Sequence, residues 1–192
     1  KTTIFQGVTY PCGVAVDGSG NIYVADSGNN AVKKMDADGN IVTLGSGLSY
    51  PCGIAVDSSG NIYVADSGNN AVKKMDADGN IVTLGSGFSF PSGVAVDGSG
   101  YIYVADSDNN AIKRMNADGS NIVTLDSGFN CPCGVAVDGD GNIYVADTFN
   151  NAVKKMDANG ENIMTLGSDF RYPSGVAIDG SGNIYVADTD NN

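Results

Sequence analysis

Two sets of aspartates recur every 40 or 41 residues and are the first candidates for chemistry in this sequence. One set ends the first predicted strand of each repeated unit and the other ends the second: Asp17, Asp57, Asp97, Asp138 and Asp179, and Asp26, Asp66, Asp106, Asp147 and Asp188. Carboxylates can serve as general acids or bases. An active site needs different groups in different roles, so recurrence in every unit argues against catalysis. We expect each carboxylate to accept hydrogen bonds from the backbone N–H groups of its following turn.

The side chains that usually transfer protons are missing. The chain has no histidine and no tryptophan, and this removes the usual general base and the commonest zinc ligand. Serines are numerous, but no imidazole is present to activate them as nucleophiles. An enzyme built from this sequence would have to work with carboxylates alone. The residues therefore predict a protein without enzymatic activity and without catalytic residues.

One stretch resembles the start of a calcium-binding loop. The run Asp138-Gly-Asp140-Gly-Asn142 begins like an EF-hand loop, but Ile143 stands at the glycine position and Phe149 at the position of the bidentate glutamate. The other units carry a serine where Asp140 stands, and so offer fewer charged oxygens. We therefore expect a hairpin turn here, and we expect neither a metal site nor a cofactor.

Four cysteines raise the question of disulfide or metal chemistry. Cys12, Cys52 and Cys133 share one repeat position, where the other units have serine, and Cys131 precedes a proline. Equivalent positions in successive units are expected to lie too far apart for the Cα separation of about 5.5 Å that a disulfide prefers, and a bridge from Cys131 to Cys133 would close a strained ring. No histidine or Cys-x-x-Cys spacing supports a thiolate metal site. We expect free thiols, buried or half-buried near an inner strand.

All these residues are placed by one unit of about 40 residues that is repeated nearly five times. Units 11–50 and 51–90 are identical at 36 of 40 positions, and further units cover 91–131 and 132–172. A partial unit, 173–192, is joined in our interpretation to residues 1–10 of the other terminus. Each unit has four strand-like pieces, which in the first unit are 13–17, 21–26, 31–36 and 40–44, separated by Gly, Asn and Asp clusters that suit hairpins.

Four short antiparallel strands form one blade of a β-propeller. The predicted fold class is therefore all-β: a β-propeller of about five four-stranded antiparallel blades, with a last blade composed of both termini. The whole chain, 1–192, is predicted to be a single propeller domain.

The run from Pro11 to Asp36, PCGVAVDGSGNIYVADSGNNAVKKMD, resembles an NHL repeat, and the resemblance recurs in every unit. It implies the same propeller fold over essentially the whole chain. For function it implies several classes, because such propellers act as protein-binding modules, RNA-binding modules, extracellular sensors and occasionally lyases. The absence of histidine weakens the likeness to the amidating and antibiotic-inactivating lyases among related propellers.

Composition restricts the partners. The net charge is -12, which disfavours nucleic acid because phosphate neutralisation needs clustered lysine or arginine. No apolar run reaches the length of a membrane helix and no signal peptide precedes the first strand, so we expect a soluble chain without membrane insertion. The acidic surface, rich in Asn, Asp and Gly, leads us to expect an extracellular or cell-surface protein.

The units differ most in two sets of loops that should emerge at the same end of each blade. The loop between the second and third strands carries Asp108, Phe149 and Asp190 where the first two units have glycine. The connection into the next unit also varies and contains Arg171. Variation on one face suggests a binding surface, so Asp108, Phe149, Arg171 and Asp190 are the predicted binding residues. The alternative is drift in exposed loops.

The ends of the chain predict one incomplete blade. Residues 1–7 align with the fourth strand of a unit, whereas 173–192 supply only a first and a second strand, and the open edge should attract a partner. We expect a non-enzymatic propeller that binds a protein or glycan through its variable loops. One alternative is a structural protein that self-assembles as a homo-oligomer by completing the open blade between chains. Another is a carboxylate- or metal-dependent lyase or hydrolase.

Overall fold

The computed structural model describes residues 6–76, 79–167 and 169–191. Within those ranges the regular structure is β-strand, apart from a three-residue 3-10 turn after the second strand of each of the first four units. No helical segment in these ranges is long and apolar enough to cross a membrane. The prediction of an all-β propeller built from four-stranded antiparallel blades is confirmed.

Four complete sheets and one pair of strands follow one another along the described chain. The strands are β1 (Pro11–Val16), β2 (Ile22–Asp26), β3 (Ala31–Met35), β4 (Ile41–Leu44), β5 (Pro51–Val56), β6 (Ile62–Asp66), β7 (Ala71–Met75), β8 (Ile81–Leu84), β9 (Pro91–Val96), β10 (Ile102–Asp106), β11 (Ala111–Met115), β12 (Val123–Asp126), β13 (Pro132–Val137), β14 (Ile143–Asp147), β15 (Ala152–Met156), β16 (Met164–Gly167), β17 (Pro173–Ile178) and β18 (Ile184–Asp188). Each successive group of four forms one antiparallel sheet, called here blades one to four, and β17 pairs with β18 as a half-blade.

The first strand of each blade begins two residues earlier than predicted. β1 starts at Pro11, and its register with β2 shifts between Pro11 and Gly13, which marks a β-bulge. Proline suits the first position of a strand because it has no N–H to donate to the ladder. The proline carbonyl also serves the neighbouring blade, since the Ser67 hydroxyl donates to the carbonyl oxygen of Pro91 at 2.6 Å. The same residues therefore start a strand and join two blades.

The hydrophobic core lies between the blades. Between blades one and two, Tyr23 and Ala25 pack with Ile54 and Val64, so that large and small side chains alternate as the sequence predicts. The second strand of blades two, three and four is buried along its whole length, because neighbouring sheets cover both of its faces. Lysines of the third strand cover the outer part of this core, with the Lys34 ammonium 5.5 Å from the centroid of the Tyr23 ring.

The first strands stand side by side around a central axis in the order β1, β5, β9, β13 and β17. Val14 in β1 is 66% exposed, whereas Ile54 at the same position of β5 is 8% exposed. In the described part of the chain, that face of blade one is therefore not covered by another sheet. The predicted pairing of residues 1–7 with the last unit falls mainly on residues 1–5, which lie outside the described residues.

Candidate functional site

The five first strands line an open channel along the axis. Its volume is about 840 Å³, and its wall is mainly apolar, with a Val or Ile side chain from each strand. This volume lies within the range of small-molecule sites in proteins. Glycines allow the strands to approach so closely: a Cβ on Gly53 would lie 2.7 Å from the carbonyl oxygen of Ser92, and one on Gly93 would lie 2.6 Å from that of Cys133.

Aromatic side chains form one rim of this channel. The residue before each proline has φ between 48° and 57°, in the left-handed region that non-glycine residues seldom adopt; these residues are Tyr10, Tyr50, Phe90, Cys131 and Tyr172. The four aromatic members are 38% to 77% exposed. The rings of Tyr50 and Phe90, whose centroids are 6.1 Å apart, belong to the channel wall. Exposed aromatic rings beside an apolar cavity are typical of the mouth of a ligand site.

The second asparagine of each Asn-Asn pair fixes the rim. The Asn70 side chain accepts a hydrogen bond from the backbone N–H of Phe90 at 2.7 Å. Asparagines at the same position in the other complete blades make this bond to the rim residue of the next unit at 2.8 or 2.9 Å; they are Asn30, Asn110 and Asn151. Each has φ of 53°, which asparagine tolerates better than most residues. One blade therefore sets the rim conformation of the next.

The second set of aspartates accepts hydrogen bonds from the loops that carry the rim residues. Asp66 is fully buried and accepts hydrogen bonds from the backbone N–H of Ser49 at 2.7 Å and from the side chain of Asn69 at 2.8 Å. In blade three, Lys113 adds an ion pair of 2.6 Å to the buried Asp106. We expected backbone donors from the following turn, but the backbone donor comes from the loop 17 residues earlier. The reason is that the two loops of a blade lie side by side at this end.

The first set of aspartates lies at the opposite end of the blades. Asp17 accepts hydrogen bonds of 2.9 Å from the backbone N–H groups of Ser19 and Asn21, and a further bond from the Asn21 side chain. The Asn21 side chain is the main cause that lowers the pKa of Asp17 to about 2. Asp138, in the stretch that resembles a calcium loop, makes the same kind of bond to the backbone N–H of Asp140 at 3.0 Å. The predicted turn-stabilising role of this set is confirmed. Across the described residues, no group of three or more His, Cys, Asp or Glu side chains is arranged to hold a metal ion.

Just inside the rim, one repeat position contributes small polar side chains to the channel wall. Its members are Cys12, Cys52, Ser92, Cys133 and Ser174. The neighbouring Cys52 side chain lowers the pKa of the Cys12 thiol to about 6, against the opposing effect of partial burial. The Cys12 side chain, together with burial, raises the pKa of Cys52. All four cysteines are free thiols; Cys52, Cys131 and Cys133 are half-buried as predicted, whereas Cys12 is exposed.

The four predicted binding residues lie at the rim end of the molecule, spread over three successive units. The backbone N–H of Asp190 donates to the carbonyl oxygen of Arg171 at 3.0 Å, and this contact joins the two variable loops of the half-blade. The Phe149 ring, from blade four, lies 5.2 Å from the Tyr172 ring of the following unit. Asp108 lies on the corresponding turn of blade three. The structure thus joins Arg171 to Asp190, and it extends the aromatic rim with Phe149.

Two features of this site were missed in the sequence. The aromatic rim was visible as a Tyr or Phe before the proline in four of five units, but its left-handed backbone was not. The Asn-Asn pairs were interpreted only as turn residues, although each second asparagine bonds to another blade. The repeat supplied the signal in both cases, because four of the five units keep an aromatic residue before the proline and every unit keeps the second asparagine.

The model of the virginiamycin B lyase family matches residues 7–192. Among solved structures, a streptogramin B lyase is similar with a TM-score of 0.83 and 18% identity, over 95% of this chain and 63% of that one. A catalytically inactive His-to-Ala variant of virginiamycin B lyase from Staphylococcus aureus, with quinupristin, is similar with a TM-score of 0.79 and 17% identity, over 95% and 64%. A gluconolactonase from Xanthomonas campestris has a TM-score of 0.85 and 19% identity, over 96% and 72%. No curated protein sequence matches this chain.

At these identities, the structural similarity shows a shared fold. The chain spans less than two thirds of the length of the two lyases. The prediction of a non-enzymatic interaction module is wrong, because the matching family is named for a lyase and the similar structures are lyases and a gluconolactonase. They favour our alternative of a lyase or hydrolase. The absence of histidine led us to this wrong prediction. The match to the family depends on the repeated sequence as a whole and not on one side chain. The NHL resemblance correctly indicated a propeller, but the family that matches is a related one and not the NHL repeat family itself. The chain belongs to the virginiamycin B lyase family.

Proposed function

We propose that this chain forms the substrate-binding and catalytic part of a lyase that acts on a compound of the streptogramin B class, bound at the aromatic rim of the central channel. The observation that carries the proposal is the apolar channel of about 840 Å³ with its aromatic rim, on the scaffold of a family named for virginiamycin B lyase. A channel of this size suits a drug-sized ligand.

The rim is suited to an apolar ligand because its rings are both exposed and held in place. Tyr50 and Phe90 offer adjacent ring faces at the channel mouth. Their backbones are fixed by hydrogen bonds from the N–H groups to Asn30 and Asn70 of the preceding blades. A binding surface that is already ordered loses less conformational entropy when a ligand binds. Phe149, which is 49% exposed, extends the same surface.

The chemistry must come from groups other than histidine. An elimination needs one group that removes a proton and another that protonates or stabilises the leaving group. The chain has no histidine, so a carboxylate on the rim is the best candidate base. Asp108 is exposed there, and it lies near Cys131, whose thiol pKa is raised to about 11, mainly by burial and in part by the charge of Asp108. In this proposal Asp108 removes the proton, while Phe149, Arg171 and Asp190 contact the ligand.

Calorimetric titration with quinupristin tests the binding part. We expect the chain to bind it, and we expect the double substitution Tyr50→Ala and Phe90→Ala to weaken binding at least about tenfold, the result of losing two aromatic contacts of roughly 0.7 kcal/mol or more each. Tyr101→Ala is the matched control, since Tyr101 is also exposed but lies at the opposite end of blade three. Absence of binding, or equal weakening by the control, would contradict the proposal.

Mass spectrometry of the incubated ligand tests the chemical part. We expect a bond of quinupristin to be broken by the unchanged chain, and Asp108→Asn to bind the ligand with little change while forming no product. Asp140→Asn is the control, because Asp140 is an exposed carboxylate at the other end of the molecule. If Asp108→Asn forms product at the unchanged rate, Asp108 is not the base and the proposed role is wrong.

A further inference from the structure

Two cysteines of neighbouring blades lie at the same level of the channel wall. Cys12 in β1 and Cys52 in β5 occupy the same repeat position of adjacent inner strands, and both line the channel wall. The strands are nearly in contact here, because a Cβ on Gly13 would overlap the carbonyl oxygen of Cys52. The Ser92 side chain at this position reaches the carbonyl oxygen of Cys133 on the next strand at 3.1 Å. A side chain at this position therefore reaches the next blade.

The two thiols differ in environment. The neighbouring Cys52 and Ser27 side chains lower the pKa of the Cys12 thiol, with Cys52 as the main cause. Cys12 is exposed, whereas Cys52 is half-buried. Hydrogen bonds to the sulfur stabilise a thiolate, which is the reactive form in thiol–disulfide exchange. Cys12 is thus placed as the attacking group, with Cys52 beside it as the resolving group.

We propose that Cys12 and Cys52 form a redox-active dithiol site whose substrate is a low-molecular-mass disulfide such as oxidised glutathione. The Cys12 thiolate attacks one sulfur of oxidised glutathione, so that a mixed disulfide forms and one glutathione leaves. Cys52 then loses its proton and attacks the Cys12 sulfur, and the second glutathione leaves. Two protein thiols are oxidised to one disulfide that links blades one and two, while one oxidised glutathione is reduced to two glutathione molecules.

The other pair of thiols, Cys131 and Cys133, is the internal competitor. Burial raises the pKa of the Cys131 thiol to about 11, whereas that of Cys12 is lowered to about 6. The gain in thiolate fraction at neutral pH exceeds the loss of nucleophilicity that accompanies a lower pKa, so Cys12 should react at least about tenfold faster than Cys131. The structure therefore favours the bridge between blades over the bridge across Pro132.

The experiment uses the reduced chain and oxidised glutathione, followed by intact mass measurement and mapping of disulfide-linked peptides. We expect one disulfide, between Cys12 and Cys52, with release of two glutathione molecules. Cys52→Ser should stop at a glutathione adduct on Cys12, and Cys12→Ser should react at least about tenfold more slowly. Cys131→Ser is the control and should keep the rate of the unchanged chain.

Loss of folding is not expected from Cys12→Ser or Cys52→Ser, since two other units carry serine at this position, Ser92 and Ser174. Circular dichroism checks the folding of all three variants. A disulfide between Cys131 and Cys133 in the unchanged chain, or a stable glutathione adduct on Cys12 while Cys52 is intact, would overturn the proposal. An unchanged rate in Cys12→Ser would overturn it equally. None of these outcomes depends on a streptogramin ligand.

Discussion

Replacing Asn70 by glycine and by alanine separates the two roles that this residue has in holding the rim. Asn70 adopts φ of 53°, and its side chain accepts the 2.7 Å hydrogen bond from Phe90. Asn70→Gly keeps the left-handed backbone but loses the hydrogen bond, a change worth about 1 kcal/mol of unfolding free energy. Asn70→Ala loses the bond and also leaves a β-carbon in the left-handed region without the polar side chain that lets asparagine tolerate it, which adds roughly 1 kcal/mol. The expected losses are therefore about 1 kcal/mol for glycine and about 2 kcal/mol for alanine.

Urea unfolding, followed by far-ultraviolet circular dichroism, measures both losses. Ser58→Gly is the control, because the first unit already carries Gly18 at that turn position. Both Asn70 variants should also bind quinupristin more weakly, since Phe90 is no longer fixed before the ligand arrives. Asn70 does not have these two roles if the glycine variant matches the unchanged chain in stability and affinity, or if alanine proves no worse than glycine.

Three further outcomes are expected. Asp106→Asn should destabilise the fold by about 3 kcal/mol, because it breaks a buried ion pair. The equivalent Asp66→Asn breaks only hydrogen bonds in the contacts described, so its loss of unfolding free energy, measured by urea unfolding, should be clearly smaller. The pKa of Asp17 is lowered to about 2, mainly by an asparagine side chain, so its contribution to stability is present above the unfolded pKa of about 4 and is lost as the pH falls toward about 2. Asp17→Asn should flatten acid unfolding in that window, and an unchanged profile would contradict it. Oxidation of Cys12 and Cys52 closes a loop of about 40 residues and should raise the unfolding free energy by about 4 kcal/mol on the chain-entropy estimate, whereas no shift of the urea midpoint would contradict the bridge.

The fold could be predicted because each unit repeats the same turn chemistry. Gly20 and its equivalents have φ of 82° to 84° in the hairpins between first and second strands, which is the conformation that the Gly-rich turns indicate. The alternation of Val and Ala with Tyr in the first two strands likewise predicts a sheet covered on both faces. These features depend on local residue types, so a single sequence is sufficient to recognise them.

The rim could not be predicted because its conformation depends on contacts between blades. A residue before proline usually prefers an extended backbone, yet Tyr50 has φ of 49°. The hydrogen bond from its N–H to Asn30, 20 residues earlier, accompanies that conformation. Such a partner can be recognised only when the spatial relation of successive blades is known.

The close approach of the strands that carry Cys12 and Cys52 was missed for a related reason. These residues lie 40 positions apart in the sequence, and the spacing of the blades at the inner strands cannot be read from one unit alone. Glycines at the inner strands, such as Gly13, bring the backbones together at this level of the channel. The enzymatic class was missed because the chain has no histidine and because the residues that differ between units, Asp108 among them, were interpreted as a binding surface.

A crystal structure of this chain with bound quinupristin would show directly where the ligand lies. We expect ligand density at the channel mouth, in contact with the rings of Tyr50 and Phe90 and within reach of the Asp108 carboxylate. Ligand density at the opposite end, near Tyr101, or on the open face of blade one around Val16, which does not line the channel, would contradict the proposed binding site.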